Sequence, residues 1–347
     1  MAAAKANILV VGFGGTDRVT VYNLEASGRA SVTGVLRSNY QIDGNLRAVK
    51  PLLALHKHKT NRRPVHQAVP EVSNDTKPFD YIVVTTKNIP DIPPTVVDII
   101  HPAVTPGHSV IVLIQNGVKI ENPLISAFSN VVISCISRMS SAELSHGEIF
   151  HQDHDTLLIG PLDNLNIPSS TSLSAAKQFV DLYNAAGRAT CVLEEDVAFI
   201  RWRKLVYNVS FNSLCAITSR DTSKLRLADF PVEELLRSVQ KEIIAIAKAA
   251  GVNLPENQDE VALGADLIDA YFRPSMQQDI ETDNYIEMEI IVGALLREAK
   301  RLGVLALTLN FVYSVLKTLQ MRTQYKKGRV ALPAMKDYGA SNAALPK

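Results

Sequence analysis

Five apolar runs mark the first half of the chain, at residues 7–11, 31–36, 81–85, 109–114 and 131–136. Each is nearly continuous rather than alternating, which predicts strands buried on both faces. Helical stretches separate them, and this order predicts βαβ units around a parallel sheet. The first run ends at a glycine and leads into a predicted helix reaching about Ser27. Residues 41–79 are a looser excursion with a predicted strand near 68–72, and runs near 147–151 and 156–160 predict an antiparallel edge hairpin. Beyond about residue 194 the strand signal stops. Predicted helices cover 195–217, 231–250, 258–272, 282–302 and 305–322, several closed by Gly251, Pro274 or Gly303. The expected architecture is an α/β doubly wound parallel-sheet domain over 1–194 followed by an all-helical domain over 195–347. The tail from Gly328 is expected to be peripheral.

Composition narrows the function more than the fold. The 347 residues carry 36 basic and 35 acidic side chains, 36 − 35 = +1. Such balance argues against nucleic acid as the main partner, because phosphate backbones select a basic stripe. Cys135, Cys191 and Cys215 stand singly, which fits buried thiols in a reducing compartment and neither a disulfide framework nor a zinc site. The start lacks the apolar core of a signal peptide, and no run approaches the ~18 apolar residues of a membrane helix. A soluble, cytoplasmic protein is expected.

The chemistry begins at Gly12-Phe13-Gly14-Gly15, set between a predicted strand and a predicted helix. A helix N-terminus there offers free N–H groups and a positive dipole end to a pyrophosphate, so a Rossmann-type nucleotide site is expected. The next strand ends in Arg37-Ser38 instead of an acid, which favours a 2′-phosphate and therefore NADPH. The third position of the fingerprint is Asp17, followed by Arg18. A carboxylate ~5 Å from phosphate at an effective dielectric of ~20 costs about 3 kcal/mol, roughly a hundredfold in affinity. His151 and His154 lack a third clustered ligand, so a loop is favoured over a metal site and no metal is expected. Lys57, His58, Lys59, Arg62 and Arg63 form a short basic cluster best explained as a solvated loop.

In the second half, Lys204, Asn208 and Asn212 recur at i, i+4 and i+8 on a mostly apolar helix. At 100° per residue they share an arc of about 80°. Such groups are expensive to bury unless they meet partners, and a polar ligand is one; a solvated stripe is the alternative. All eight histidines lie at or before position 154. A proton donor from the helical half must therefore be a lysine or a carboxylate, and Lys204 is the best-placed candidate.

Together these residues resemble the ketopantoate reductase (2-dehydropantoate 2-reductase) family, particularly its fungal-type members. The resemblance rests on Gly12-Phe13-Gly14, Arg37-Ser38, Thr85-Thr86-Lys87, Gln115-Asn116-Gly117, Trp202-Arg203-Lys204 with Asn208 and Asn212, and Ser275 through Asp279 with Glu287 beyond. It implies hydride transfer from NADPH to the ketone of a 2-keto acid in a cleft between the two domains. By position, Lys204 would be the general acid, oriented by Asn208 and Asn212, which would also hold substrate. Glu287 would bind a substrate hydroxyl and set up the lysine. Ser275 would hold the carboxylate, Asn116 would sit near nicotinamide and substrate, and Lys87 would lie on the cofactor side.

The chain departs from the family pattern at Asp17, at Ser137-Arg138-Met139-Ser140-Ser141 and at Val292-Gly293. The first bears on NADPH affinity and the others on whether the substrate is ketopantoate, so a small anionic or carbonyl-bearing substrate is expected; a homodimer is compatible with the sequence. Two alternatives stand beside the reductase. One is a non-redox isomerase or cyclase, such as a pericyclase of secondary metabolism, on the same scaffold with weakened NADPH binding. The other is a catalytically silent binding protein.

Overall fold

A computed structural model describes residues 4–12, 15–35, 49–51, 65–66, 68–73, 75–138, 141–145, 148–151 and 154–331. The basic cluster at 57–63, Met139 and Ser140, and the tail from 332 lie outside the described residues.

The strands are β1 (Ala6–Val11), β2 (Ala30–Val35), β3 (Val49–Pro51), β4 (Val65–His66), β5 (Tyr81–Val84), β6 (Val110–Ile114), β7 (Val132–Ser137), β8 (Ser141–Ser145), β9 (Glu148–His151), β10 (Thr156–Pro161) and β11 (Thr190–Leu193). Eight of them form one sheet in the order β11-β10-β7-β6-β5-β1-β2-β4. All its pairings are parallel except β10 against β7. The central strands are apolar on both faces because both faces are covered. On one side, helices α1 (Gly15–Ala26) and α4 (Ser169–Asn184) pack Val21, Leu24, Phe179 and Tyr183 against Ile8, Val10, Val83 and Val112. On the other, α2 (Val96–Ile100) and α3 (Asn122–Ala127) share a core with the helical half of the chain.

That half contains α5 (Val197–Tyr207), α6 (Ser213–Thr218), α7 (Thr222–Arg226), α8 (Arg237–Ala249), α9 (Gln258–Leu263), α10 (Ser275–Glu281), α11 (Ala294–Leu302) and α12 (Leu307–Lys326). Three wide π-helical turns, at Asn208–Asn212, Pro231–Leu236 and Glu289–Gly293, precede α6, α8 and α11. One apolar cluster runs without a break from Leu9, Val84 and Leu113 in the sheet to Trp202, Leu205, Ile243 and Leu316 in the helices.

Four expectations are corrected. Residues 68–73 form no strand: Pro70 has no ladder donor, and the Val72 N–H turns instead to the Pro102 carbonyl at 2.9 Å. The runs near 147–151 and 156–160 do not pair with each other. β9 pairs with β8 and β3 in a separate three-stranded sheet, while β10 lies between β7 and β11. Leu157, Leu158 and Ile159 are all buried, and a strand apolar on both faces belongs inside a sheet. The helix expected over 258–272 stops at Leu263, where Gly264 follows and Arg226 takes up the carbonyls of Leu263, Asp266 and Leu267. Residues 282–302 are not one helix: α10 ends before them, and an irregular stretch carries Glu287 to the wide turn at Glu289.

Candidate active site

Strands β1, β5, β6 and β7 run parallel, so the chain leaves all four at one edge of the sheet, where open α/β sheets collect ligands. Gly12 follows β1, Lys87 and Asn88 follow β5, Gln115-Asn116-Gly117 follows β6, and Ser137 closes β7. Two of these turns require glycine. Gly12 has φ +116°, and a Cβ there would lie 2.7 Å from Thr85 Oγ1 and 2.8 Å from the Thr86 amide nitrogen. Gly117 has φ +96°, and a Cβ there would lie 2.7 Å from the Ile290 carbonyl. The Asn116 turn is thereby seated directly on the wide turn of the helical half.

A chain of hydrogen bonds crosses from sheet to helices at this edge. Lys204 on α5 donates through Nζ to the Ser137 carbonyl at 3.0 Å and to Asn116 Oδ1 at 3.3 Å. Asn116 Nδ2 donates to Glu287 Oε2 at 3.1 Å, and Glu287 Oε1 accepts from the Asn88 amide at 3.0 Å. The order fixes which way the Asn116 amide points, because only its oxygen can face an ammonium and only its nitrogen a carboxylate. An ammonium has three N–H groups, and two of Lys204's have partners among the described residues. Loss of hydration and then the charge of Arg201 lower the Lys204 pKa to about 8, against the opposing pull of Glu287.

Asn208 and Asn212 are buried, at 6% and 4% exposure, which rules out the solvated stripe. Asn208 lines a crevice with Asn116, Lys204, Ile136 and Leu205. The stretch Asn208–Asn212 is a wide turn and not the α-helix the spacing implied. Each residue of an i→i+5 turn rotates less, so Asn212 swings back toward the Lys204 direction instead of drifting past Asn208. Neither amide has a side-chain hydrogen bond to another described residue, and Asn208 is the one of the two that lines the crevice.

Ser275 is the first residue of α10 and is exposed; no hydrogen bond connects it to the Lys204–Asn116–Glu287 chain. Lys87 pairs with Asp279 of the same helix, joining the end of β5 to the helical half. Burial raises the Asp279 pKa to about 6 although Lys87 opposes the shift. Gly15 opens α1. Phe13, Gly14, Arg37 and Ser38, with the side chain of Asp17, lie outside the described residues. Of this turn the described residues show Gly12, packed against Thr85 and Thr86, and the helix start at Gly15, where free backbone N–H groups suit a pyrophosphate. Among the described residues no cluster could hold a metal ion, and no helix is long and apolar enough to cross a membrane. The His154 ring Nε2 lies 2.8 Å from Thr190 Oγ1.

The sequence reading passed over two residues. Asp279 was legible as the residue one helical turn beyond Ser275. Arg201 extends the stripe of Lys204 and Asn208 backward at i−3 and i−7, and lines the same crevice.

A family model described as ketopantoate reductase PanE/ApbA matches residues 8–164, and one described as its C-terminal part matches residues 196–320. An uncharacterized protein of Saccharomyces cerevisiae is 30% identical, over 93% of this chain and 96% of its own. A 2-dehydropantoate 2-reductase of Nostoc sp. is 27% identical, over 64% of this chain and 69% of its own. The crystal structure of 2-dehydropantoate 2-reductase from Methylococcus capsulatus superposes with a TM-score of 0.74 at 27% identity, covering 91% of this chain and 97% of that one. On these matches this chain belongs to the ketopantoate reductase family.

Proposed function

We propose that the protein is an NADPH-dependent reductase of a 2-keto acid or related small ketone. The observation that carries this reading is the hydrogen-bonded series from Ser137 through Lys204 and Asn116 to Glu287. It holds an ammonium of lowered proton affinity in a crevice it shares with the buried amide of Asn208, which has no side-chain hydrogen bond among the described residues. Family membership supplies the reaction class, and the relatives named 2-dehydropantoate 2-reductase supply the kind of substrate.

When bound, the nicotinamide supplies a hydride to the carbonyl carbon. The remaining work falls to the chain. The third N–H of Lys204 meets the carbonyl oxygen, stabilises negative charge as it forms there and transfers a proton to it. The alcohol then leaves and Lys204 takes a new proton from water. Asn116 and the Ser137 carbonyl hold Nζ in place throughout, and Glu287 fixes Asn116. Asn208 and Asn212 hold the polar end of the substrate, and Lys87 and Ser275 border the cleft. Gly12, Phe13, Gly14 and Gly15 would cradle the pyrophosphate, with Arg37 and Ser38 on the 2′-phosphate.

The test is a titration with NADPH followed by nicotinamide fluorescence, with NADH in parallel. Saturable binding that is tighter for NADPH is expected; no saturation at hundreds of micromolar would sink the reading. Asp17→Gly removes a negative charge from the fingerprint and is expected to tighten NADPH up to about a hundredfold, the effect of a ~3 kcal/mol repulsion of the phosphates. An unchanged affinity would mean that Arg18 already neutralises Asp17. The non-redox alternative requires the native substrate to turn over without any nucleotide.

A further inference from the structure

We propose that Arg201 is the positioning residue for Lys204. One buried guanidinium fixes the turn that carries Asn116, and its charge favours release of the proton held one helical turn away. The proposal deepens the reductase reading, and its kinetic half rests on that reading.

Arg201 is 5% exposed. Its Nε donates to Ser134 Oγ on β7 at 2.5 Å, and one terminal nitrogen donates to the carbonyls of Gln115 at 2.9 Å and Gly117 at 2.8 Å. Those two carbonyls flank Asn116, so the backbone on both sides of that residue is tied to α5. Every one of these acceptors is neutral, and the other terminal nitrogen has no partner among the described residues. Three neutral acceptors do not by themselves require a cation, and burying a guanidinium without a carboxylate in contact is costly. The charge is therefore the feature that a purely structural clamp leaves unexplained.

The groups facing Lys204 show where that charge acts. Arg201 on α5 and Arg138 beyond β7 disfavour its proton, whereas Glu287 from the helical half and Cys135 on β7 favour it. Burial raises the Cys135 thiol well above its ordinary range and keeps it neutral, so Glu287 is the charged counterweight. Arg201 itself is lowered by burial to about 10, partly offset by Glu121, and stays cationic at neutral pH. A fixed cation on one side and a carboxylate on the other leave Lys204 protonated near neutrality yet ready to give the proton up.

The test compares Arg201→Gln, which keeps amide donors without charge, with Arg201→Lys, which keeps charge without the fork. In protein carrying 13C-labelled lysine, the Lys204 side-chain resonance is assigned by its loss in Lys204→Met and titrated without substrate. Arg201→Gln is expected to raise the midpoint by about one pH unit, the scale of a neighbouring like charge. Arg201→Lys is expected to leave it near the wild-type value. In turnover, the alkaline limb should move with Arg201→Gln and be restored in position by Arg201→Lys, at a lower kcat because the Asn116 turn has loosened. An unmoved midpoint in Arg201→Gln, or an equal shift in Arg201→Lys, overturns the proposal. If thermal melting shows Arg201→Gln unfolded, Arg201→Lys decides alone: a retained midpoint supports the charge and a raised one refutes it. Absence of turnover in the wild type would count against the reductase reading only, since the resonance titration needs no substrate.

Discussion

Lys204→Ala is expected to lower kcat for ketone reduction by about 10²–10⁴-fold, the usual contribution of a positioned general acid. NADPH affinity should stay unchanged, because Lys204 bonds Asn116 after β6 and Ser137 at the end of β7, whereas the Gly12 turn follows β1 on the far side of β5. Stopped-flow consumption of NADPH, run beside the fluorescence titration, separates the two effects. Lys204→Arg gives a sharper version. A guanidinium keeps the charge and can reach an oxyanion, but it does not surrender a proton at any working pH. It should bind the keto acid and turn it over slowly. The pH profile carries the same signature. Below a pKa of about 8 the ammonium is the donor, and above it kcat/KM should fall about tenfold per pH unit. That limb should disappear in Lys204→Ala. Undiminished turnover in the variant would remove Lys204 from the mechanism.

Lys204 was legible because a charge on a mostly apolar helix has few cheap explanations. The same holds for the strands: 7–11, 81–85, 109–114 and 131–136 are nearly continuous apolar runs, and each coincides with a strand to within about a residue. Helix interruptions were not legible, since a 3.6-residue pattern carries no mark where the backbone widens. The causes lie in tertiary bonding. In Asn208–Asn212, Ser210 Oγ donates back to the Val206 carbonyl at 2.7 Å and accepts from Gln240 of α8 at 3.2 Å. In Glu289–Gly293, Arg297 caps the Glu289 carbonyl at 3.1 Å. Pro231 opens the third wide turn without an N–H to give. One partner of Glu287 was equally hidden, because Asn88 contributes only a backbone amide. A residue that acts through its main chain leaves no side-chain signal.

Gly160→Ala is expected to damage stability and catalysis together, although Gly160 lies on a strand well removed in sequence from Lys204. Gly160 on β10 pairs with Ser134 on β7, the residue that receives the Arg201 Nε bond. A Cβ on Gly160 would lie 1.9 Å from the Glu194 carbonyl oxygen and 3.0 Å from Val197 Cβ. Neither neighbour is the free end of a flexible side chain, and Glu194 is held in place by its N–H on the Ile159 carbonyl at 2.7 Å. Residues 194–197 must therefore move outward, and they lead directly into α5. Overpacking of this severity sits at the upper end of its usual range, about 3 kcal/mol or more. At ~2 cal/mol/K per residue over this length, Tm should fall by roughly 4 °C or more. The helix that shifts carries both Arg201 and Lys204, and a displacement of about 1 Å at a catalytic group costs on the order of 10² in rate. Gly264→Ala is the control, because a Cβ there meets the Glu260 carbonyl at an ordinary 3.5 Å. It should leave Tm and turnover near wild type. Should Gly160→Ala match that control, α5 is not seated on β10 through the 194–197 segment, and the placement of Lys204 must have another source.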